Sequence, residues 1–167
     1  ESIKKIIAVA NQRRLDIAIV TNGYHISEYI EILKTARIRE IQVTVDGTLE
    51  VHDSRRMLRG GNGSFEKITE GVDLLLSNNI PVNMRMIVDK DNVNNLPDLA
   101  RFAIKKGWTQ SPVFKTGLGR NYELHHCQTN NTRLFKRLEM YQEIYGIVKK
   151  YPEVLEFHKP AFSIAKF

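Results

Sequence analysis

Apolar positions along the chain switch between two periods. In residues 2–12, Ile3, Ile6, Ile7 and Ala10 fall at helical spacing behind Ser2, a suitable N-cap. Leu15 to Val20 is a short apolar run closed by Thr21-Asn22-Gly23, which predicts a buried strand and its exit turn. Helical spacing returns at Ile26, Tyr29, Ile30 and Leu33, with Ser27 as the candidate cap. Residues 41–46 then alternate as a strand does, with Ile41, Val43 and Val45 on one face and Gln42, Thr44 and Asp46 on the other. An irregular stretch rich in charge and glycine is predicted from Gly47 to Gly63. Ser64 is read as the cap of a helix carrying Phe65, Ile68, Val72 and Leu75, which ends at Asn78-Asn79. Pro81 leads into a strand over 82–88, where Val82, Met84, Met86 and Val88 alternate with Asn83, Arg85 and Ile87, a phase that Asp89 continues. Pro97 suits the first turn of a helix stopping at Gly107, and Val113 to Thr116 is a weaker strand. Leu134, Leu138, Tyr141, Tyr145 and Val148 form the predicted stripe of a long last helix, whose C-terminal dipole Lys149 and Lys150 suit. Residues 151–167 are apolar and basic without a clear period.

This alternation predicts the α/β class, with parallel strands joined by right-handed crossovers. Four strands make an open sheet or part of a (β/α) barrel. Strands buried on both faces spend apolar residues on both. Two strands here keep one polar face, which points to a ligand cavity. Ligands in parallel α/β folds sit at the carboxyl ends of strands. That rule selects Thr21-Asn22-Gly23, Thr44 to Gly47, Arg85 with Asp89, and Lys115 to Arg120.

Several side chains there carry chemistry. Asp46 is suited to accept hydrogen bonds from paired hydroxyls such as a ribose, or to close an Asx turn with Gly47. Arg85, mid-strand in a sheet interior, requires an anion, either a protein carboxylate or a ligand carboxylate. His52-Asp53 with Arg55-Arg56 is either catalytic or a surface loop with local salt bridges, and position favours the loop. His125-His126-Cys127 lacks Cys-x2-Cys spacing, and adjacent residues rarely aim at one ion, so no metal site is expected there. Gly60-Gly61-Asn62-Gly63 lacks the Lys-Ser/Thr ending of a P-loop and is read as a flexible connection.

Composition narrows the class. The 167 residues suffice for one domain with a real core, and no apolar run is long enough to span a bilayer. Cys127 is the only cysteine, which excludes an intrachain disulfide and points to a reducing, cytoplasmic setting. The net charge of +6 is spread along the chain without a basic helix or an aromatic-basic platform, so a solvated basic surface is expected rather than nucleic-acid binding.

Together the motifs resemble a known family. Thr21-Asn22-Gly23, Val43-Thr44-Val45-Asp46-Gly47, His52-Asp53-x-x-Arg56, Gly63-Ser64-Phe65, Asn83-x-Arg85 and Asn92 occur in an order and spacing similar to the radical S-adenosylmethionine (SAM) superfamily. The nearest branch is the one with sulfatase-maturating and peptide-modifying enzymes, often termed SPASM-like. The resemblance implies a partial (β/α)6 barrel, with residues 1–116 holding the third to sixth strands and their helices. Residues 117–167 would be a connecting loop, the last barrel helix and a tail. It implies a [4Fe-4S] cluster held by Cys-x3-Cys-x2-Cys, SAM on the open iron, and a 5′-deoxyadenosyl radical that abstracts hydrogen from a peptide or protein. A flavodoxin or ferredoxin would be the reductant. Carried onto this sequence, the SAM-facing residues are Asn22, Thr44, Asp46, Arg56 and Arg85. The cluster cysteines, the Gly-Gly-Glu type motif and a cysteine-rich extension are absent. The chain is therefore expected to be an inactive fragment of a longer enzyme. The alternative is a non-catalytic α/β module binding a nucleotide or small acid.

Overall fold

The computed structural model describes residues 2–121 and 133–159, so His125-His126-Cys127 lies outside the described residues. The elements alternate as the periodicity requires: α1 (Ser2–Gln12), β1 (Ile17–Thr21), α2 (Ile26–Leu33), β2 (Ile38–Thr44), α3 (Leu49–Arg55), α4 (Phe65–Ser77), β3 (Val82–Val88), α5 (Leu96–Lys105), β4 (Phe114–Arg120), α6 (Arg137–Lys150) and α7 (Val154–Phe157). The four strands form one sheet in the order β1-β2-β3-β4, and every neighbouring pair is parallel. The fold is thus α/β, an open segment of a parallel barrel. No helix among the described residues is long and apolar enough to cross a membrane.

Strand periodicity places the core. Ile41, Val43 and Val45 of the β2 face and Val82, Met84, Met86 and Val88 of β3 are buried with Ile68, Val72 and Leu75 of α4 and Leu96, Leu99, Ala100 and Ala103 of α5. Each large apolar side chain removed from water contributes about 1.5–3 kcal/mol, so this layer dominates the stability. The opposite face of the sheet is not covered in the same way. Val20 on β1 is 74% exposed there, and Gln42, Thr44, Asn83 and Arg85 are half-buried. A sequentially ordered parallel sheet with one crossover hand carries its helices on one side, which leaves the other as a lumen.

Several expectations are corrected, among them the cap of α2, where His25 and not Ser27 holds the position. The stretch after Gly47 is not all irregular, because α3 occupies residues 49–55 and buries His52 completely. Ser64 stands at the cap position of α4, but its side chain does not cap. Asp53 does so instead, its Oδ1 accepting from the backbone N–H groups of Ser64 at 2.7 Å and Phe65 at 2.9 Å. On α6 the inward stripe is Met140 and Ile147, with Leu138, Tyr141 and Tyr145 exposed; of the predicted stripe on this helix only Val148 packs against the core. Both periods fit that helix, and contact with α7 and the turn Val93–Asn95 decided between them. Finally, part of the unassigned tail is structured: α7 packs beside α5, and Thr116 Oγ1 on β4 donates to the Phe157 carbonyl at 3.0 Å.

Candidate functional site

Pairing register sets the lumen face. Gln42 aligns with Asn83 and Asn83 with Lys115; one row further on, Thr44 aligns with Arg85 and Arg85 with Gly117. Thr44 and Arg85 are therefore side by side on adjacent strands, about 5 Å apart at the backbone. Neither side chain has a protein partner among the described residues. Arg85 thus has no protein carboxylate there, one of the two anions that its position allowed. Its guanidinium leans toward the carboxyl end of β4 and lies over Gly119, where a β-carbon would stand 2.8 Å from Nε and 2.9 Å from Nη2. Gly117 and Gly119 share the lumen face of β4, so the strand offers bare backbone beside Thr44 and Arg85.

One row lower the face is closed by charge. Lys115 of β4 pairs with Glu40 of β2 across β3. The Lys115 hydrogen bond, aided by Asn83, holds the Glu40 carboxyl below the usual range. Asn83 Oδ1 is buried without a partner among the described residues.

At the carboxyl ends of β2 and β3 a polar knot forms. Asp46, buried, accepts from Arg56 Nε at 2.7 Å through Oδ2 and from the Ile87 N–H at 3.0 Å through Oδ1. Asn92 Nδ2 donates to the Asp46 and Ile87 carbonyls at 2.9 and 2.8 Å, stitching the two strand exits together. Arg55 makes a bidentate pair with the fully buried Asp89, at 3.1 and 2.8 Å, which Asn121 Nδ2 joins at 3.0 Å. Burial by itself would raise the Asp89 carboxyl, but the Arg55 and Asn121 bonds outweigh it and hold the group low. The knot walls a cleft of about 550 Å³ bounded by Asp46, Ser54, Arg55, Arg56, Asp91 and Arg133, a volume suited to a small ligand.

The structure places Thr44 and Arg85 side by side on the lumen face, and Asp46 and Arg56 in the cleft at the strand exits, which Thr44 and Arg85 do not line. Asn22 is exposed beyond the end of β1, its Oδ1 accepting the Tyr24 N–H at 3.2 Å. His52-Asp53 is not the surface loop that position favoured. His52 and Asp53 brace α3 against α4, and Arg55 faces inward. Sequence reasoning passed over the lumen role of Gly117 and Gly119. Their i, i+2 spacing within a strand was the available signal, since paired glycines on one face mark a close approach. For Arg55-Asp89 no local signal existed, because the partners are 34 positions apart.

Comparison with known proteins adds a family. The Radical SAM superfamily profile matches residues 1–103. The chain is 31% identical over 93 residues to a GTP 3′,8-cyclase of Rhizobium leguminosarum bv. trifolii (strain WSM2304), covering 55% of this chain and 26% of that protein. It is 25% identical over 118 residues to the sporulation killing factor maturation protein SkfB of Bacillus subtilis (strain 168), covering 70% and 27%. Among solved structures, native anSMEcpe with bound AdoMet and Cp18Cys peptide superposes with a TM-score of 0.66 at 13% identity, covering 80% of this chain and 36% of that one. The chain spans about a quarter of the length of the curated relatives it matches.

Proposed function

The chain belongs to the radical SAM superfamily, and from that premise we propose that it is the cofactor-facing half-barrel of an enzyme acting by hydrogen abstraction on a peptide or protein. Family membership brings SAM and a [4Fe-4S] cluster as the parent's cofactors. The chain's residues do not fit the cluster: it has one cysteine, and no group of three metal-ligating side chains occurs among the described residues. They do fit SAM. When bound, SAM supplies the 5′-deoxyadenosyl radical that takes the substrate hydrogen.

The observation that carries the reading is the Arg85 guanidinium, without a protein partner among the described residues and aimed over Gly119 toward the strand ends. A half-buried cation of this kind suits a carboxylate in bidentate geometry, and the SAM methionyl carboxylate supplies one. Thr44 beside it offers a hydroxyl to the same ligand. Arg56, fixed through Nε by Asp46, keeps its remaining N–H groups for an anionic group at the mouth. Asp46 is occupied by Arg56 and Ile87, so its contribution is to hold Arg56 and the edge of the cleft. Asn22 stands at the rim. A peptide substrate is supported by the peptide held in the anSMEcpe structure and by SkfB being a maturation protein.

The test is SAM binding to the full-length protein. Arg85→Ala is expected to weaken SAM about ten- to hundredfold, the worth of a charge-assisted hydrogen bond, with iron content unchanged. Unaltered SAM affinity would remove Arg85 from the site. Reading the coding sequence upstream of Glu1 gives an independent check. Two strand–helix units need about 60–90 residues, and Cys-x3-Cys-x2-Cys is expected within them.

A further inference from the structure

His52 is a fully buried titratable group that the proposed chemistry does not use. Its ring closes a circuit of hydrogen bonds. Nδ1 accepts the backbone N–H of Asp46 at 3.1 Å. That fixes the neutral tautomer, with the proton on Nε2, because a backbone N–H can only donate. Nε2 lies 3.2 Å from Ser64 Oγ and therefore donates to it. Ser64 Oγ in turn donates to the backbone carbonyl of Arg56 at 3.3 Å. The circuit closes through side chains, as Arg56 Nε donates to Asp46 Oδ2 at 2.7 Å.

His52 thus ties together the main chains of two residues that form an ion pair. From this circuit we infer that His52 is the positioning residue of the Asp46–Arg56 pair, setting the direction in which the Arg56 guanidinium faces the cleft. The inference rests on the cofactor-site reading for what Arg56 grips, but not for how it is held.

The surroundings suit a neutral ring. The Phe65 ring packs against it with centroids 5.8 Å apart. Asp46 and Asp53 favour charging it, Arg55 and Arg56 oppose that, and α4 presents the uncharged Ser64 and Phe65. Burial is the largest influence and lowers the ring's affinity for a proton. Protonation would set a second N–H against the Asp46 N–H and open the circuit at its first link.

Three substitutions separate the links. His52→Asn keeps an acceptor at the Nδ1 position and gives up Ser64. His52→Gln keeps the reach to Ser64 and gives up that acceptor. His52→Ala removes both. The readout is NMR of the 15N-labelled chain. The wild-type ring is expected as the Nε2–H tautomer, and the Arg56 Nε–H signal as slowly exchanging and displaced by its carboxylate partner. That signal is expected to weaken and shift toward free arginine in the Asn and Gln variants and to be lost in the Ala variant. An Nδ1–H tautomer, or an undisturbed Arg56 signal in folded Asn and Gln variants, overturns the inference. If the Ala variant fails to fold, the milder pair still decides. A second arm measures SAM binding to the full-length protein, where His52→Asn is expected to weaken it about three- to tenfold. Should Arg56 loosen while SAM affinity holds, the cofactor role of Arg56 fails and the positioning role of His52 stands.

Discussion

Arg85 and Gly119 are complementary: the guanidinium of one occupies the space that a side chain on the other would take. A β-carbon at Gly119 would approach Nε to 2.8 Å, closer than real contacts allow. The obstruction is the far end of a flexible side chain, which can swing away. Gly119→Ala is therefore expected to change stability by less than about 1 kcal/mol, since alanine is also the better strand residue. It should nonetheless turn the guanidinium away and weaken SAM binding in the full-length protein. The loss should not add to that of Arg85→Ala, and calorimetric titration of the single and double variants checks this.

Arg55 and Asp89 make the most deeply buried ion pair at the strand ends. The Asp89 side chain is 0% exposed and that of Arg55 18%. Truncating Asp89 leaves Arg55 only the looser approach of its Nε to Asp46 Oδ2 at 3.8 Å. Asp89→Ala is expected to cost about 3–5 kcal/mol in urea unfolding, a large part of the ~5–15 kcal/mol that holds a domain together. A loss below about 1 kcal/mol would show the pair to be dispensable.

Acid should weaken the fold in two stages. Burial holds His52 and His158 below the ordinary imidazole value of 6.5. Between 6.5 and their lower folded values the unfolded chain binds protons that the folded chain refuses, so stability is complete above 6.5 and falls with acidification. Asp89, held below 3.8, contributes stability that is present above 3.8 and lost as pH falls through its folded value. Unfolding free energy measured from pH 8 to 3 is expected to show the first decline starting near 6.5, and His52→Gln to reduce it. A flat profile down to pH 5 would contradict the burial of both rings.

The isolated chain is expected to bind negligible iron after anaerobic reconstitution. One thiol cannot replace three cluster ligands. A stable four-iron absorbance spectrum from this chain would contradict the fragment reading.

The sequence by itself determined the fold class, because period-two strands alternating with helical stripes leave little else than a parallel sheet under helices. It also marked Thr44, Asp46 and Arg85, since polar residues in strand phase stand out against Ile41, Val43, Met84 and Met86. It set apart His52 and Asp53 as a motif but misread their setting, as a short charged segment shows no period long enough to reveal α3. The inward face of α6 was equally beyond local reading, since two apolar stripes compete and only the neighbouring α7 and the turn Val93–Asn95 select Met140 and Ile147. Tertiary structure alone decided which cations are spent and which are free. Arg55 reaches Asp89, Arg56 reaches Asp46, and Arg85 reaches no carboxylate among the described residues. Pairing of charges is a matter of distance after folding, and residues tens of positions apart in sequence carry no local mark of it.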